Sequence, residues 1–331
     1  MIITVTEKGT WLRCRQQWEW GSFNGYAYQT IIAKPALGIG RLWHATQAEW
    51  SLHPNDDPNN LLLGLANEEI ERIKREYFER IGAPISQAEL DQTIEGIGMV
   101  ISMVKNYKDH WGSPLPDGFE MMSPEQTCVV PIPGTEHNCT TCGGKGWVVP
   151  LPLNPCNECK GSGKSMHYIA GTLDGLIRDK YGSLYVLERK TYGQRPKPEV
   201  LNMQDQFLAY LWILNQLNIG EVGGLAYDGV WKRKEPPKGS TLADLFLRIR
   251  LRRNRYEMQA YGEQLRAIVN EMADNPAIYV NRRWDGCWDC DYIEPCIAKM
   301  RGEDWEAIFN NRFTRRPKEE DSTRELKHAD A

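Results

Sequence analysis

Asp174, Glu188 and Lys190 lie within one short stretch, GTLDGLIRDKYGSLYVLERKTY (Gly171 to Tyr192), and their types and spacing could do chemistry. The stretch reads as two short strands joined by a turn at Asp179–Gly182, the second strand running from Leu184 to Arg189. Residues two apart on a strand point the same way, so Glu188 and Lys190 share a face. Asp174, on the neighbouring strand, can bring a second carboxylate beside Glu188. Two carboxylates suit a hard divalent ion, Mg²⁺ or Mn²⁺, held through oxygen. The lysine can orient or deprotonate a water that attacks phosphorus. Taken alone, an Asp followed by a distant ExK is a loose pattern, and an ordinary hairpin with surface charges explains it at least as well.

The nine cysteines carry a tighter signal: Cys14, Cys128, Cys139, Cys142, Cys156, Cys159, Cys287, Cys290 and Cys296. CTTCGGKG and CNECKGSG are the same unit twice, CxxCxGxG. Two cysteines separated by two residues can chelate one ion from a tight turn, and the glycines permit the positive φ angles such a turn needs. Cys139, Cys142, Cys156 and Cys159 therefore supply four thiolates for a tetrahedral Zn²⁺, a closed site of structural type. Over this short segment only, the units resemble the zinc-binding repeats of DnaJ-type chaperones. Lys145, Trp147, Lys160 and Lys164 would serve equally to grip DNA or to brace a loop. At the other end, CWDCDYIEPC offers Cys287, Cys290 and Cys296, one thiolate short of a complete set. Cys14 can be the fourth, or simply a buried apolar cysteine. Four thiolates can hold zinc or an iron–sulfur cluster.

One early cysteine followed by CxxCxYxxxC resembles the iron–sulfur branch of the RecB-like PD-(D/E)xK nucleases, which includes CRISPR-associated exonucleases and AddB-type helicase–nuclease subunits. Other positions fall in the family's order. His44 in GIGRLWHA matches a metal-binding histidine, Asp174 in GTLDGLI the motif aspartate, and Glu188 and Lys190 in LERK the ExK pair. Gln206 and Tyr210 in QDQFLAYLW match a following QxxxY helix, where one turn puts them on a common face. The resemblance covers residues 10–50 and 168–300. It implies an α/β, restriction-endonuclease-like core, a mixed central sheet flanked by helices with the active site at a sheet edge. It also implies Mg²⁺ or Mn²⁺ on His44, Asp174, Glu188 and the Arg189 carbonyl, with Lys190 positioning the water. Gln206 and Tyr210 would contact the DNA backbone or support Lys190. Cys14, Cys287, Cys290 and Cys296 would hold a [4Fe-4S] cluster, or zinc, that staples the chain ends around the core. The double CxxCxGxG unit is not a usual part of that family.

The elements that must position these residues follow from periodicity. Apolar residues at three- and four-residue intervals predict helices over 63–81 and 87–111, with Ser86 as N-cap, and a further helix carries His44. Helices are also expected over 199–217 and 256–274, and strands over 223–231 and 245–253. Pro, Gly and Cys become dense from Pro114, so the chain divides into an N-terminal part of the nuclease domain (1–113), an inserted zinc module (114–167), the nuclease core with the terminal cysteines (168–300) and a charged tail (301–331). The formal net charge is −4, so a global basic field is absent and nucleic acid must be met by a local patch. Arg248, Arg250 and Arg252 alternate with Leu247, Ile249 and Leu251, giving a strand with one basic face; WKRKEPPK (231–238) is a second cluster. Both patterns fit solvated surfaces equally well. With neither a membrane-spanning run nor a signal peptide, the expected setting is cytoplasmic, without a membrane partner.

The expectation is a metal-dependent DNA exonuclease acting on single-stranded or unwound ends, in recombination, repair, phage replication or CRISPR-type processing. No GxxxxGK[ST] motif occurs, so unwinding would need a helicase or recombination partner. The competing reading is an adapter that binds DNA or a partner without cutting. A chaperone-like reading fails on coverage, since only two repeats occur and the J-type HPD motif is absent.

Overall fold

A computed structural model describes residues 1–21, 28–30, 35–116, 118–145, 147–148, 154–156, 159–274 and 277–315. Its centre is a six-stranded mixed sheet of β1 (Ile2–Thr4), β2 (Phe119–Pro131), β3 (Tyr168–Asp179), β4 (Leu184–Tyr192), β5 (Val222–Trp231) and β6 (Phe246–Leu251). β2 runs antiparallel along one side of β3. The other side of β3 takes β1, parallel, at Tyr168–Ala170, and then β4, antiparallel, at Gly175–Arg178. β5 lies parallel to β4, and antiparallel β6 closes the far edge.

Helices pack on the sheet and on one another: α1 (Val5–Arg13), α2 (Arg15–Gly21), α3 (Pro35–Leu52), α4 (Pro58–Ile81), α5 (Gln87–Trp111), α6 (Asp205–Leu217), α7 (Arg255–Ala273), α8 (Ile293–Arg301) and α9 (Trp305–Arg312). α6 is the crossover that the parallel β4–β5 pair requires. Along β4, Leu184 and Val186 join the core built with Phe207, Tyr210 and Leu214 of α6. Tyr185 and Leu187 point the other way, toward Phe119, Met121 and Ala226. A separate cluster of Trp43, Trp50, Val100 and Val104 packs α3 and α5 against Val230 and Phe246. Among the described residues, no helix is long and apolar enough to cross a membrane.

Local signals explain the helix ends. Ser86 accepts from the Glu89 amide while Glu89 reaches back to the Ser86 amide, a capping box that starts α5 where the periodicity begins. α5 ends at Gly112, whose φ of 64° favours glycine. Three expectations need correction. Residues 119–131, assigned to the inserted module, form a full strand of the central sheet. Pro124 and the irregular register after Met121 had disguised it. The helix expected over 199–217 is broken, with a short turn at Pro198–Leu201 before α6, because the Asn202 carbonyl and side chain are taken by the Arg253 guanidinium. The expected tail begins later than residue 301: α9 buries Phe309, and Phe313–Arg315 pairs with Tyr28–Thr30. Residues 316–331 of that tail lie outside the described residues.

α6 is pinned at its first residue. Lys8, on α1 and wholly buried, donates to Asp205 Oδ1 at 2.6 Å and to the Tyr261 hydroxyl at 2.6 Å. Replacing Asp205 with Ala leaves a buried ammonium with a single neutral acceptor. The expected cost is about 3 kcal/mol, read as a lower midpoint of urea unfolding.

Candidate active site and metal centres

The hairpin register pairs Gly175 with Leu187, and one step further puts Asp174 opposite Glu188. There the ladder ends, and Asp174 Oδ2 instead accepts the Arg189 amide at 2.7 Å. Leu173 and Leu176 both face α6, so the alternation of β3 breaks between them. Across from the break, Glu125 sits at φ 44° between the pairs Pro124–Gly175 and Gln126–Leu173. Such irregularities re-aim side chains next to functional sites. His44 of α3 comes within 3.2 Å of Asp174 Oδ1 through Nδ1. Lys190 Nζ lies 2.6 Å from Glu188 Oε1. Glu188 is 1% exposed while the Lys190 side chain is 37% exposed, so the ammonium reaches outward from a buried carboxylate. His44, Asp174, Glu188 and Lys190 thus meet at one place.

Their proton affinities are driven apart. Burial pushes Glu188 up, and the charge of Asp174 adds to it, to about 7, against the opposing pull of Lys190 and His44. Burial also acts to raise Asp174, but His44, Lys190 and the Arg189 amide outweigh it and hold that carboxyl below its usual range. Lys190 is raised: burial alone would lower it, but the two carboxylates win. Glu188 Oε1 is buried against the Lys190 ammonium. Two carboxylates beside an imidazole are a donor set that suits a hard divalent ion.

Gln206 and Tyr210 stand together on α6, with Gln206 Nε2 donating to the Tyr210 hydroxyl at 2.8 Å. The Tyr210 ring backs β3 so closely that a Cβ on Gly171 would lie 3.0 Å from it. Arg189 points to the opposite face, where its guanidinium is buried and donates to Ser51 Oγ at 2.8 Å and the Pro114 carbonyl at 3.0 Å.

On that face lies a polar group that sequence reasoning missed. Asp228, 2% exposed, is in register with Arg189 on one side and Arg248 on the other. It accepts from the Tyr107 hydroxyl, and its Oδ1 lies 3.1 Å from Arg248 Nε. Arg248, a candidate DNA contact by sequence, is 11% exposed, ion-paired to Asp228 and stacked 4.0 Å over Trp111. Arg250 and Arg252 are exposed, the first 4.5 Å over the Phe119 ring, the second 3.4 Å from the Tyr185 hydroxyl. All three lie on the face away from Glu188 and Lys190. The available clue was a lone aspartate inside an otherwise apolar strand.

The repeated cysteine units fold as the same turn twice. Gly144 N–H donates to the Cys139 carbonyl and Gly161 N–H to that of Cys156, with Gly144 at φ 84° and Gly161 at 85°. Sγ atoms of Cys139 and Cys156 are 3.7 Å apart, as are those of Cys142 and Cys159. All four are buried, with ligand atoms within 4.8 Å of one another. Four thiolates about a metal at a bond length of about 2.3 Å stand about 3.8 Å apart, so the four could hold an ion. Lys164 braces the module through Asn138 Oδ1 at 2.7 Å, and the Trp147 side chain lies outside the described residues.

Cys14, Cys287, Cys290 and Cys296 lie near enough to feel one another's charge, but among the described residues only Cys139, Cys142, Cys156 and Cys159 group their ligand atoms closely enough to hold an ion. Burial, then the charges of Cys14, Cys290 and Cys287, push the Cys296 thiol up to about 11. Cys290 is raised by burial first, with Cys14 and Cys287 adding to it.

A family model described as the PD-(D/E)XK nuclease superfamily matches residues 3–297. That span takes in the acidic site and every cysteine. A search of curated proteins returns no match. Among solved structures, the chain is similar to the crystal structure of SSO0001, at 13% identity over 90% of this chain and 86% of that one, with a TM-score of 0.34.

Two outcomes are expected. A divalent ion at Glu188 must displace the proton that the carboxyl holds below pH about 7. Mn²⁺ affinity should therefore fall as pH drops through that value, by about tenfold per unit, with proton release visible by calorimetry in buffers of different ionisation enthalpy. Arg248→Ala should destabilise the fold by about 3 kcal/mol in urea, because it strands the buried Asp228.

Proposed function

The chain belongs to the PD-(D/E)XK nuclease superfamily, and from that premise we propose that it is a divalent-metal-dependent DNA exonuclease working on single-stranded or unwound ends. The observation that carries this reading is the meeting of His44, Asp174, Glu188 and Lys190 at one place, two carboxylates beside an imidazole and an ammonium.

Asp174 and Glu188, with His44 and the Arg189 carbonyl, would hold Mg²⁺ or Mn²⁺. When bound, such an ion supplies Lewis-acid stabilisation of charge on the phosphate and a more acidic water. Asp174, already an anion at neutral pH, is the permanent ligand, while Glu188 becomes one on losing its proton. Lys190 stays an ammonium beside two carboxylates, which favours orienting the water and donating to a phosphate oxygen over accepting a proton. The Gln206–Tyr210 pair supports the strand behind the site or meets the DNA backbone. Zn²⁺ is the ion best suited to Cys139, Cys142, Cys156 and Cys159, and a [4Fe-4S] cluster to Cys14, Cys287, Cys290 and Cys296. A helicase or recombination partner would deliver the unwound ends.

The deciding experiment incubates the protein with single- and double-stranded DNA labelled separately at each end, in Mg²⁺, Mn²⁺ or EDTA. Metal-dependent loss of label from an end is expected, and Lys190→Ala should slow it by at least about 10²-fold while the protein stays folded. A fully active Lys190→Ala protein would sink the assignment.

A further inference from the structure

β4 and β5 run parallel and end side by side, with Gly229 level with Lys190 and Trp231 level with Tyr192. The chain leaving each strand is basic. Residues 193–197 and 231–238 hold six cations and one carboxylate, Glu235, in a protein of net charge −4. These two loops are fastened together. Trp231 Nε1 donates to the Gly193 carbonyl at 2.8 Å, and the Lys232 amide to the Tyr192 carbonyl at 2.9 Å. Further anchors come from below: Asn106 donates to the Lys234 carbonyl at 2.9 Å, and Arg195 to the carbonyls of Asp244 and Phe246 at 3.3 and 3.2 Å. Arg195 is thereby a clamp. Lys197, Arg233, Lys234 and Lys238 are left exposed, with the Arg233 guanidinium lying 4.3 Å over the Trp231 ring.

We infer that the clamped loops 193–197 and 231–238 form the surface that receives the phosphate backbone of a single DNA strand on its way to Lys190. The inference rests on the nuclease reading and adds the path of the substrate to it. Tyr192 is two residues beyond Lys190 along the same strand, about 7 Å, so the surface begins at the rim of the acidic site. That position matters because the site itself carries two carboxylates and repels a polyanion. Cations carried on loops whose backbone is held by hydrogen bonds offset that repulsion, and the loops themselves need not be ordered on binding. A planar guanidinium stacked on an indole also presents a flat face on which an unpaired base can rest. The arginine strand β6 offers no rival track along its whole length, since Arg248 is buried against Asp228.

The test is anisotropy of a labelled single-stranded oligonucleotide in EDTA, from about 50 to about 200 mM salt. Arg233→Glu/Lys234→Glu should weaken binding at least about tenfold at low salt and flatten the salt dependence by about 1.4 in log–log slope. Arg233→Gln/Lys234→Gln, a milder pair, should weaken it by less and in the same direction. Lys74→Glu/Lys180→Glu makes an equal charge change elsewhere and should bind as wild type. Equal losses from both reversals, or none from either, would overturn the surface while metal-dependent cleavage by the wild type kept the nuclease reading standing. Wild-type protein that neither binds nor cuts DNA, or that binds RNA alone, would remove both.

Discussion

Glu188, Arg189 and Lys190 put three consecutive charges into a strand that lies inside the sheet, and most of the structure around them answers that arrangement. Alternation sends Glu188 and Lys190 to one face and Arg189 to the other, so charge has to be accommodated on both sides. On the Arg189 side the charges are buried together. Arg189, Asp228 and Arg248 form a row across three neighbouring strands, with Tyr107 donating to the central carboxylate and Ser51 and Pro114 accepting from the outer arginine. The other side is more open. Two carboxylates face one ammonium and one imidazole, and the Lys190 side chain is 37% exposed. The Arg189 face packs its charges into a buried row, whereas on the other face the Lys190 side chain reaches toward solvent beside two carboxylates, which is what the proposed active site requires.

α3 couples the two faces. His44 and Ser51 are seven residues apart, two helical turns, and so share one stripe of the helix. One meets Asp174 and the other the Arg189 side chain. Arg189 in turn gives its amide to Asp174, so the acidic site is gripped from the helix, from the backbone and from behind the sheet. The helix itself is seated by Trp43 and Trp50 against Tyr107, the same tyrosine that serves Asp228. Several of the chain's tryptophans therefore sit in the packing that holds the site.

Much of this was legible in the sequence, where local rules coincide with tertiary needs. α5 runs over 87–111 behind Ser86, as its periodicity and cap predict, and the hairpin about Asp179–Gly182 sets Asp174 across from Glu188. The duplicated cysteine spacing folds into two matching turns. Readings failed where the deciding partner was distant. Residues 119–131 carry Pro124 mid-strand and an irregular register, and only pairing along β3 makes them a strand. The alternation of cations and leucines in β6 correctly predicts two faces, but alternation does not say which face meets water. Asp228, twenty residues earlier, turned the basic side of Arg248 inward.

The two cysteine sets differ in what surrounds them, and that difference bears on their roles. Among the described residues, the cluster containing Cys139, Cys142, Cys156 and Cys159 consists of those four side chains alone. A segment that short cannot bury enough apolar surface to order itself, so the metal proposed there would stand in for a core, and the module would lose its shape with the ion. Cys290 and Cys296 instead lie against Trp20, Tyr292, Phe309 and Phe313, aromatic residues drawn from near both ends of the sequence. Apolar packing already holds that region together, so a cluster there would lock an assembled structure rather than create one. Removing metal should therefore act locally on the first set, whereas the second is tied through Cys14 at the end of α1 to the same helix whose Lys8 pins α6 and its Gln206–Tyr210 pair.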